Sequence, residues 1–466
     1  MTLNITLDAT EDDPLFLQIA TRVRTAITAG YLLPGVRLPS SRALAAQLAI
    51  ARGTVDAAYA LLAGEGAIET RGSAGTVVSG VAGRRVEVAE QPPLLFPRAA
   101  DAVGEAPRPF QMGLPALDAF PRKLWSSLTV RAARSIQPAD LAESDPAGSA
   151  ALRQAVAAYL GVARGIKCTS EQVLITAGYQ GALALVRSVL IRPGDPVWME
   201  DPGYHMTRMA LETCGARVVP VRVDAEGLRV AAGINAAPKA KVAVVTPTHQ
   251  CPTGVALSLP RRLELLAWAA EAGSWIVEDD YDSEFRYAGR PLPSLKSLDR
   301  GQRVLYAGSF SKVLFPALRL GYLVVPPELE AAFLRAARLL TSGLPLLEQG
   351  AVAAFMRNGH FARHIRRMRI LYGERRRCLA SALQAAFGDR VVVELASGGM
   401  HLLARFPGAE DDTVLAKRAG RAGLAATALS SLAMAHDAGQ GLLLSFTNVA
   451  AADVDALVGR LAGAVV

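Results

Sequence analysis

Apolar residues in the first 80 positions recur at intervals that predict three short helices followed by a β-hairpin. The first helical pattern ends at Gly30, because glycine commonly terminates a helix. A second helix opens at Ser40, and a third runs over about 53–63. Two short apolar segments, 67–70 and 76–78, flank a glycine-rich tip and are typical of a hairpin.

From about residue 109 the pattern changes, and short β-branched segments alternate with longer stretches rich in alanine and leucine. This alternation predicts an α/β domain whose mostly parallel sheet is covered by helices on both faces. Ligands in such sheets bind beyond the carboxyl ends of the strands, so residues that follow a strand are the candidates for a site. The predicted strands are 172–176, 197–200, 216–221, 242–246, 275–279, 304–307 and 321–325.

A segment between the two patterns, 81–108, contains four prolines, among them Pro92 and Pro97. Proline at this density is typical of an extended interdomain linker. The alternative is an ordered arm that lies on the second domain. The predicted organisation is therefore a first domain at 10–80, a linker at 81–108 and a second domain at 109–466.

The 466 residues carry a formal net charge of +8, which permits a nucleic-acid partner without establishing one. Residues 1–80 hold six arginines, no lysine and seven acidic residues, so DNA binding there depends on where individual arginines lie. No stretch of about eighteen uncharged apolar residues predicts a membrane span, and the N-terminus is acidic where a signal peptide is basic. The four cysteines show no C-x-x-C spacing, so we expect a cytoplasmic protein with reduced thiols.

A lysine flanked by small hydroxyl residues follows one predicted strand directly, in Gly308-Ser309-Phe310-Ser311-Lys312. A lysine amine can hold a carbonyl cofactor as a Schiff base, while Ser309 and Ser311 can donate hydrogen bonds to a phosphate. Arg319 is a permanently charged candidate for the same phosphate. A serine–lysine pair alone more often marks a surface turn, so the interpretation depends on the other strand ends.

Three other strands end in residues that suit the same cofactor. Asp279 can keep a pyridine nitrogen protonated, and Tyr281 can hydrogen-bond the phenolic oxygen of the ring. The segment Gly178-Tyr179 opens a helix, whose free amides favour a phosphate. Tyr204 follows a third strand and can stack on a ring, although a tyrosine there is more often a core residue. Together these loops predict a pyridoxal 5′-phosphate site.

Over residues 109–450 the sequence resembles the fold-type I aminotransferases. The resemblance implies that Lys312 forms the Schiff base, that Asp279 contacts the pyridine nitrogen and that Tyr204 stacks on the ring. It also implies a homodimer, arranged head to tail, whose sites are completed across the subunit interface. It places Gly178, Tyr179, Ser309 and Arg319 around the phosphate.

Residues 10–80 resemble the winged helix-turn-helix of the GntR superfamily, in the segments P-S-S-R-A-L-A, A-R-G-T-V-D-A-A-Y and R-G-S-A-G-T-V-V. The resemblance implies that the third helix enters the major groove of double-stranded DNA by its N-terminal end. Arg42 and Arg52 lie near the starts of the second and third helices, where each can reach a base edge or a phosphate.

Four further residues of this domain bear on DNA binding. Thr54 can contact a phosphate or cap the third helix. Gly75 in the hairpin tip permits close approach to a groove, and Arg71 is a weaker candidate for a contact there. Asp56 faces the same side as Arg52, where a carboxylate is unfavourable near phosphates.

A basic stretch from Arg357 to Arg377 contains eight arginines and one acidic residue, Glu374. Such a stretch is usually a solvated helix face with internal pairing, and the alternative is an auxiliary contact to DNA phosphates. His360 and His364 have the spacing of a zinc pair, but no third ligand is evident, so we expect no metal there.

The GntR-type winged helix-turn-helix, residues 10–80, is called the reader below. A reader joined to an aminotransferase-like domain resembles the MocR family of bacterial transcriptional regulators over essentially the full chain. The resemblance implies a regulator that senses pyridoxal phosphate, or its adduct with an amino compound, and repositions paired readers on a DNA operator. A catalytically competent aminotransferase with an appended DNA-binding domain is the alternative. A third reading is a DNA-bound scaffold whose cofactor is only structural.

Two departures from the aminotransferase pattern favour a regulator over an enzyme. In the segment His249–Gly254, Cys251 replaces the asparagine that usually holds the ring oxygen. Leu443 stands where aminotransferases usually have an arginine that binds the substrate carboxylate, although Arg405 or another arginine can take that role. Loss of that arginine predicts at most partial transamination and a cofactor that is itself the effector, as in regulators of vitamin B6 synthesis.

Overall fold

The structure is a computed structural model that describes residues 3, 5–8, 13–72, 75–80, 106–289, 292–408 and 410–465. The chain divides into two compact units, Met1–Ala100 and Asp101–Val466. Most of the predicted linker, 81–105, lies outside the described residues, so its nature stays a prediction. Arg108, the last residue of the predicted linker, is bound within the second unit, because the side chain of Asn448 donates a hydrogen bond to its carbonyl oxygen at 2.7 Å.

The first unit contains the three helices and the hairpin that the apolar pattern predicts, which confirms a winged helix-turn-helix. Its core buries apolar side chains from all three helices, including Ile19, Leu44 and Val55. Ser40 caps the second helix, since its hydroxyl oxygen accepts a hydrogen bond from the amide of Ala43 at 3.2 Å. The elements are α1 (Leu15–Thr28), α2 (Ser41–Leu48), α3 (Arg52–Gly64) and the antiparallel pair β1 (Ile68–Thr70) and β2 (Thr76–Val78).

An eight-stranded sheet forms the centre of the second unit, and all seven predicted strands occur in it. The strands are β3 (Val173–Thr176), β4 (Pro196–Asp201), β5 (Arg217–Asp224), β6 (Gly227–Leu228), β7 (Val242–Val245), β8 (Trp275–Asp280), β9 (Val304–Ser309) and β10 (Gly321–Val324). Their order is β3-β10-β9-β8-β7-β4-β5-β6. The pairs from β9 to β5 are parallel, whereas β10 runs antiparallel between β3 and β9.

Both faces of this sheet are covered by helices, as the buried, nearly uninterrupted apolar strands predict. Alternate residues of a strand point to opposite faces. Met199 of β4 packs on one face, whereas Trp198 packs on the other and stacks on Trp268 with ring centroids 3.8 Å apart. The helices of this part are α4 (Arg122–Arg134), α5 (Ala150–Arg164), α6 (Gly178–Leu190), α7 (His205–Thr213), α8 (Val230–Ala236), α9 (Leu259–Ala272), α10 (Leu295–Leu298), α11 (Glu330–Leu340) and α12 (Leu346–Arg357).

The C-terminal part of the second unit is a smaller antiparallel sheet packed against three helices, which the apolar pattern did not identify. Its strand order is β11-β12-β14-β13. The elements are α13 (His360–Phe387), β11 (Val392–Glu394), β12 (His401–Arg405), α14 (Asp412–Arg421), β13 (Thr427–Ala428), β14 (Leu442–Ser445) and α15 (Val454–Val465). Among the helices that the structure describes, none has the length and apolarity needed to cross a bilayer.

The register of β10 decides where a ligand site can form. Gly321, its first residue, lies opposite both Thr176 at the end of β3 and Ser309 at the end of β9. Because β10 is antiparallel to both neighbours, the residues that precede it meet the residues that follow β3 and β9 at one edge of the sheet. The carboxyl ends of β8 and β4 lie along the same edge.

Candidate functional site

A pocket of about 250 Å³ lies at this edge of the large sheet. Eight of the nine residues predicted to bind the cofactor line it, and the ninth, Gly178, precedes Tyr179 at the start of α6. The predicted residues in the lining are Tyr179, Tyr204, Asp279, Tyr281, Ser309, Ser311, Lys312 and Arg319. Folding therefore brings together residues that are up to 141 positions apart in the sequence, from Gly178 to Arg319.

Lys312 lies in the loop after β9 with its amine inside the pocket. Its Nζ donates a hydrogen bond to the carbonyl oxygen of Gly113 at 2.9 Å. Burial lowers the pKa of the Lys312 amine, and the negative charge of the nearby Asp279 opposes that shift. A lower pKa increases the neutral, nucleophilic fraction of a lysine, which is what attack on a carbonyl group requires.

Asp279 and Asp280 are adjacent buried carboxylates with different surroundings. Asp280 accepts a hydrogen bond from the hydroxyl of Tyr306 at 2.6 Å and pairs with Arg164 at 2.6 Å. Asp279 lines the pocket, and within the described chain no hydrogen bond reaches its carboxylate. Burial, together with the negative charge of Asp280, raises the pKa of Asp279 well above its usual range. A carboxylate that faces the pocket without a partner from the described chain fits a ligand that brings a protonated ring nitrogen.

Tyr281 lies on another wall of the pocket and is joined to His249. The Tyr281 hydroxyl is 2.9 Å from Nδ1 of the His249 ring. Cys251 lines the same wall, and burial raises the pKa of its thiol to about 12, so this group is neutral. A thiol is a weaker hydrogen-bond donor than the asparagine amide it replaces, which leaves Tyr281 as the stronger candidate for a ring oxygen.

The residues predicted to hold a phosphate meet where α6 begins and β10 begins. Gly321 approaches Gly178 so closely that a Cβ on Gly321 would lie 3.0 Å from the Cα of Gly178. The Ser309 hydroxyl oxygen accepts a hydrogen bond from the amide of Ser311 at 3.2 Å. Arg319 is exposed at the pocket, and no acidic residue of the described chain pairs with it. Helix amides, hydroxyls and an unpaired guanidinium together suit a phosphate dianion.

The aromatic residues above the pocket include Tyr204, which follows β4. Its ring centroid lies 6.4 Å from that of Tyr179, with the planes inclined at 51°. The side chain of Tyr204 is 38% exposed, so it is a pocket residue and not a core residue. The Tyr179 hydroxyl lies 3.0 Å from the hydroxyl of Thr207, which orients that ring.

Several lining residues had no signal in the sequence. They come from loops, from the start of α7 and from the smaller sheet, and include Met112, Gly113, His205, Met400, His401, Thr427 and Leu432. Gly113 has φ of +76°, and a Cβ there would come within 2.4 Å of the Lys312 amine. Asp201 binds the loop that carries Leu432, because its carboxylate accepts hydrogen bonds from the amides of Met434 and Ala435 at 2.7 and 2.8 Å.

Leu443 lies fully buried in β14, in an apolar cluster with Leu403 and Leu429. Its cross-strand neighbour Thr427 lines the pocket, so Leu443 is on the pocket side of the smaller sheet. Arg405, the suggested replacement for the missing arginine, is not in the lining. It pairs with Glu394 at 2.6 Å and hydrogen-bonds the carbonyl oxygen of Gln440, so that suggestion was wrong.

The basic stretch is only partly the solvated face that the sequence predicts. Arg375 is buried, and its guanidinium pairs with Asp118 and donates to the carbonyl oxygen of Thr447 at 2.5 Å. His364 is buried as well, with Nε2 donating to the carbonyl oxygen of Val313 at 2.9 Å. Within the described residues, no group of three or more histidine, cysteine or acidic side chains is placed to hold a metal.

In the first unit, Arg52 is the first residue of α3 and does not precede it. Its Nε lies 3.4 Å from Asp56, so the carboxylate that looked unfavourable near DNA forms an exposed ion pair with it. Thr54 is the third residue of α3, and the N-cap is Ala51, so the capping role suggested for Thr54 was wrong. Arg42, the second residue of α2, is exposed.

The hairpin carries two predicted residues and one that the sequence did not indicate. Arg71 pairs with Glu69 at 2.5 Å on the surface. Gly75 has φ of +80°, and a Cβ there would lie 3.0 Å from Nε of Arg37. The backbone conformation therefore favours glycine, and the exposed side chain of Arg37 lies beside it at the hairpin.

Comparisons with known proteins cover both units. The family model "Aminotransferase class I and II" matches residues 129–461, and "Bacterial regulatory proteins, gntR family" matches residues 15–78. The probable rhizopine catabolism regulatory protein MocR of Rhizobium meliloti is 35% identical over 96% of this chain and 92% of its own length. The HTH-type pyridoxine biosynthesis transcriptional regulator PdxR of Corynebacterium glutamicum is 31% identical over 95% of this chain and 94% of its own length.

A solved structure resembles the second unit in both fold and sequence. It is the α-aminoadipate aminotransferase LysN of Thermus thermophilus, complexed with N-(5′-phosphopyridoxyl)-L-leucine. The match has a TM-score of 0.69 with 31% identity, and it covers 76% of this chain and 91% of that chain.

Proposed function

The chain belongs to the family of MocR-type transcriptional regulators, and from this premise we propose that its aminotransferase-like unit senses pyridoxal phosphate or an adduct of it. Pyridoxal phosphate is the cofactor of this chain, and DNA is its partner through the GntR-type reader. The sensed state changes how two readers of a homodimer, arranged head to tail in the cytoplasm, engage an operator. The adduct would form with an amino compound.

The residues of the pocket fit this cofactor at each end. Lys312 would form the covalent bond, Asp279 would hold a protonated ring nitrogen, and Tyr281 would donate to the ring oxygen. When bound, pyridoxal phosphate supplies a carbonyl group for an amine and a ring that withdraws electrons. The carboxylate of Asp279, which no described group hydrogen-bonds, supports this assignment. The phosphate would lie against Gly178, Tyr179, Ser309, Ser311 and Arg319, with Tyr204 over the ring.

One observation carries the preference for a sensor over an enzyme. Arg319 is the single arginine among the described residues of the pocket lining, and it stands at the phosphate end. The position that would hold a substrate carboxylate is Leu443, which is buried among leucines and cannot pair with a charge. An amino acid would therefore bind without the clamp that orients it for efficient turnover.

The reader presents candidates for DNA contact at two places. Arg42 and Arg52 project from the starts of α2 and α3, the helix ends that approach DNA in winged-helix proteins. Thr54 in the first turn of α3, and Arg71 and Gly75 in the hairpin, would contact phosphates or a groove edge. Since each reader presents few free arginines, two readers on one operator give a stronger and more specific contact than one.

The test is DNA binding to the upstream region of the protein's own gene, with and without pyridoxal phosphate and a panel of amines. We expect the cofactor to change the affinity or the footprint of the wild-type protein. Lys312→Ala should abolish both this response and the visible absorbance of the lysine-bound cofactor, because no other described lysine lines the pocket. A surface variant, Lys123→Ala, serves as the matched control.

Two results would support other functions. Turnover of amino acids at roughly 1 s⁻¹ or faster, a typical enzymatic rate, would favour the aminotransferase alternative. Unchanged DNA binding after complete removal of the cofactor would favour the scaffold whose cofactor is structural. Persistence of the lysine-bound absorbance in Lys312→Ala would overturn the assignment of the pocket itself.

A further inference from the structure

A second cavity of about 300 Å³ lies on the other side of His249 from the cofactor pocket. Its described wall is built by the loop after β8, by the end of α5 and by the turn at Gly398-Gly399. This volume is at the lower end of the range for small-molecule sites, about 300–1,000 Å³. None of the residues assigned to the cofactor lines it.

The wall of this cavity contains buried polar atoms that lack partners. Within the described chain no hydrogen bond reaches Nε of Arg164, Nε of Arg286, Nε2 of His249 or the Ser283 hydroxyl. His249 and Asp282 are 5% and 1% exposed, so water does not satisfy them freely. Proteins rarely leave so many buried polar groups unmatched in one place. All four can donate a hydrogen bond, which indicates a ligand rich in acceptor oxygens.

The charges in the wall favour an anion of low charge. Arg286 and Arg369 form no ion pair with a described acidic residue, whereas Arg164 is paired with Asp280. The opposing carboxylates are Asp282 and Glu284. Burial raises the pKa of Glu284 to about 7, so this group is roughly half protonated near neutral pH. A phosphate dianion would be repelled more strongly by these carboxylates than a single carboxylate would be.

We propose that this second cavity binds a small carboxylate anion, held by Arg286, Ser283 and Nε of Arg164, independently of the cofactor. A guanidinium group matches the planar geometry of a carboxylate, and the serine hydroxyl supplies a further donor. The cavity is thus a second ligand site of the regulator, outside the pocket that holds pyridoxal phosphate.

A short chain of contacts joins the two sites. Oδ2 of Asp282 lies 3.1 Å from Nδ1 of His249, and the same nitrogen is 2.9 Å from the Tyr281 hydroxyl in the cofactor pocket. An anion beside Asp282 changes the electrostatic potential at His249 and hence its hydrogen bond to Tyr281. Filling the cavity therefore shifts the absorbance of the bound cofactor. This coupling rests on the proposed role of Tyr281, whereas binding in the cavity does not.

The experiment is calorimetric titration of propionate, a monocarboxylate, into the protein with its cofactor bound. Propionate has no amino group, so it cannot form a Schiff base with the cofactor. We expect saturable binding that weakens about tenfold or more in Arg286→Gln, since a hydrogen bond to a charged group is lost. The matched control is Arg377→Gln on α13, where Nε donates only within its own helix and the affinity should stay unchanged.

A circular dichroism spectrum and a thermal melt show whether Arg286→Gln is folded. If it is not, Ser283→Ala decides, with an expected loss of about threefold for an uncharged hydrogen bond. No saturable heat at about 20 mM propionate would overturn the proposal, because binding that weak cannot regulate. Equal affinity in the wild type and the cavity variant would overturn it too. Binding without any absorbance change would retain the second site and remove only the link to Tyr281.

Discussion

The adjacent carboxylates Asp279 and Asp280 allow a direct test of the cofactor assignment. Each is replaced by its isosteric amide, giving Asp279→Asn and Asp280→Asn. Both residues are buried, with 7% of each exposed. Their partners differ, since Asp280 is paired with Arg164 and accepts from Tyr306, whereas no described group hydrogen-bonds Asp279. The two variants should therefore fail in different ways.

For Asp280→Asn we expect the free energy of unfolding of the cofactor-free protein to fall by about 3–5 kcal/mol, because the charge of Arg164 loses its buried partner. Asp279→Asn should not destabilise that form. The folded state holds the Asp279 proton more tightly than the unfolded chain does, so above the ordinary aspartate pKa of 3.8 the carboxyl group costs stability, and the amide avoids that loss. The difference in free energy of unfolding between Asp279→Asn and the wild type should therefore grow as the pH rises above 3.8.

For cofactor affinity, Asp279→Asn should be the more damaging of the two variants. Asp279→Asn loses a charge-assisted hydrogen bond to the ring nitrogen, which contributes about 1.5–3 kcal/mol, or roughly 10- to 100-fold in the dissociation constant. Asp280→Asn should bind the cofactor with nearly wild-type affinity under conditions where it is folded. Urea unfolding of the cofactor-free protein and equilibrium dialysis with pyridoxal phosphate give the two quantities.

The reasoning is refuted if Asp279→Asn binds the cofactor as tightly as the wild type. It is refuted equally if Asp279→Asn destabilises the cofactor-free protein as much as Asp280→Asn does. The second result would mean that Asp279 has a structural role, and that the absence of hydrogen bonds to its carboxylate does not mark a ligand site.

Two further predictions concern pH and DNA. Burial lowers the pKa of His401 to about 4, so the unfolded chain takes up this proton first as the pH falls from 6.5 to 4, and about 3 kcal/mol of stability is lost. His401→Gln should therefore lose less stability than the wild type between pH 6.5 and pH 4, measured by urea unfolding. An identical pH dependence in the two proteins would contradict the assignment. Arg52→Ala should weaken specific DNA binding by about 1–3 kcal/mol in a gel-shift assay. Arg71→Ala should have less effect, because Glu69 lies 2.5 Å from that guanidinium whereas Asp56 lies 3.4 Å from Arg52; equal losses would remove Arg52 from the base-reading candidates.

Local sequence pattern predicted the elements that depend on local interactions. The three helices and the hairpin of the first unit follow from apolar spacing and from breakers such as Gly30. The strands of the large sheet follow from short β-branched segments, and β8 and β9 occur with Asp279 at the end of one and Ser309 at the end of the other. The smaller sheet was missed, because β13 has two residues and β11 has three, too few to show a period.

The contacts that decide individual roles are between distant segments, and the sequence could not supply them. Thr54 looked equally suited to capping or to phosphate contact until the helix was seen to begin at Arg52. Arg405 had the right charge for a carboxylate, but the register of β12 with β11 places it beside Glu394. Arg375 belongs to a stretch that looks solvated, yet α13 turns it inward toward Asp118.

The sequence by itself determined that Lys312, Asp279 and Arg319 lie at or next to the ends of strands, because local patterns predict the strands and their order along the chain. Only the tertiary structure decided that Gly113 and His249 join them, that Leu443 faces the pocket without a charge, and that a second cavity lies behind His249. The physical reason is that β10 reverses direction between β3 and β9 and the smaller sheet packs back over the same edge. Burial, hydrogen-bond satisfaction and pKa shifts arise from those long-range contacts, and no local pattern encodes them.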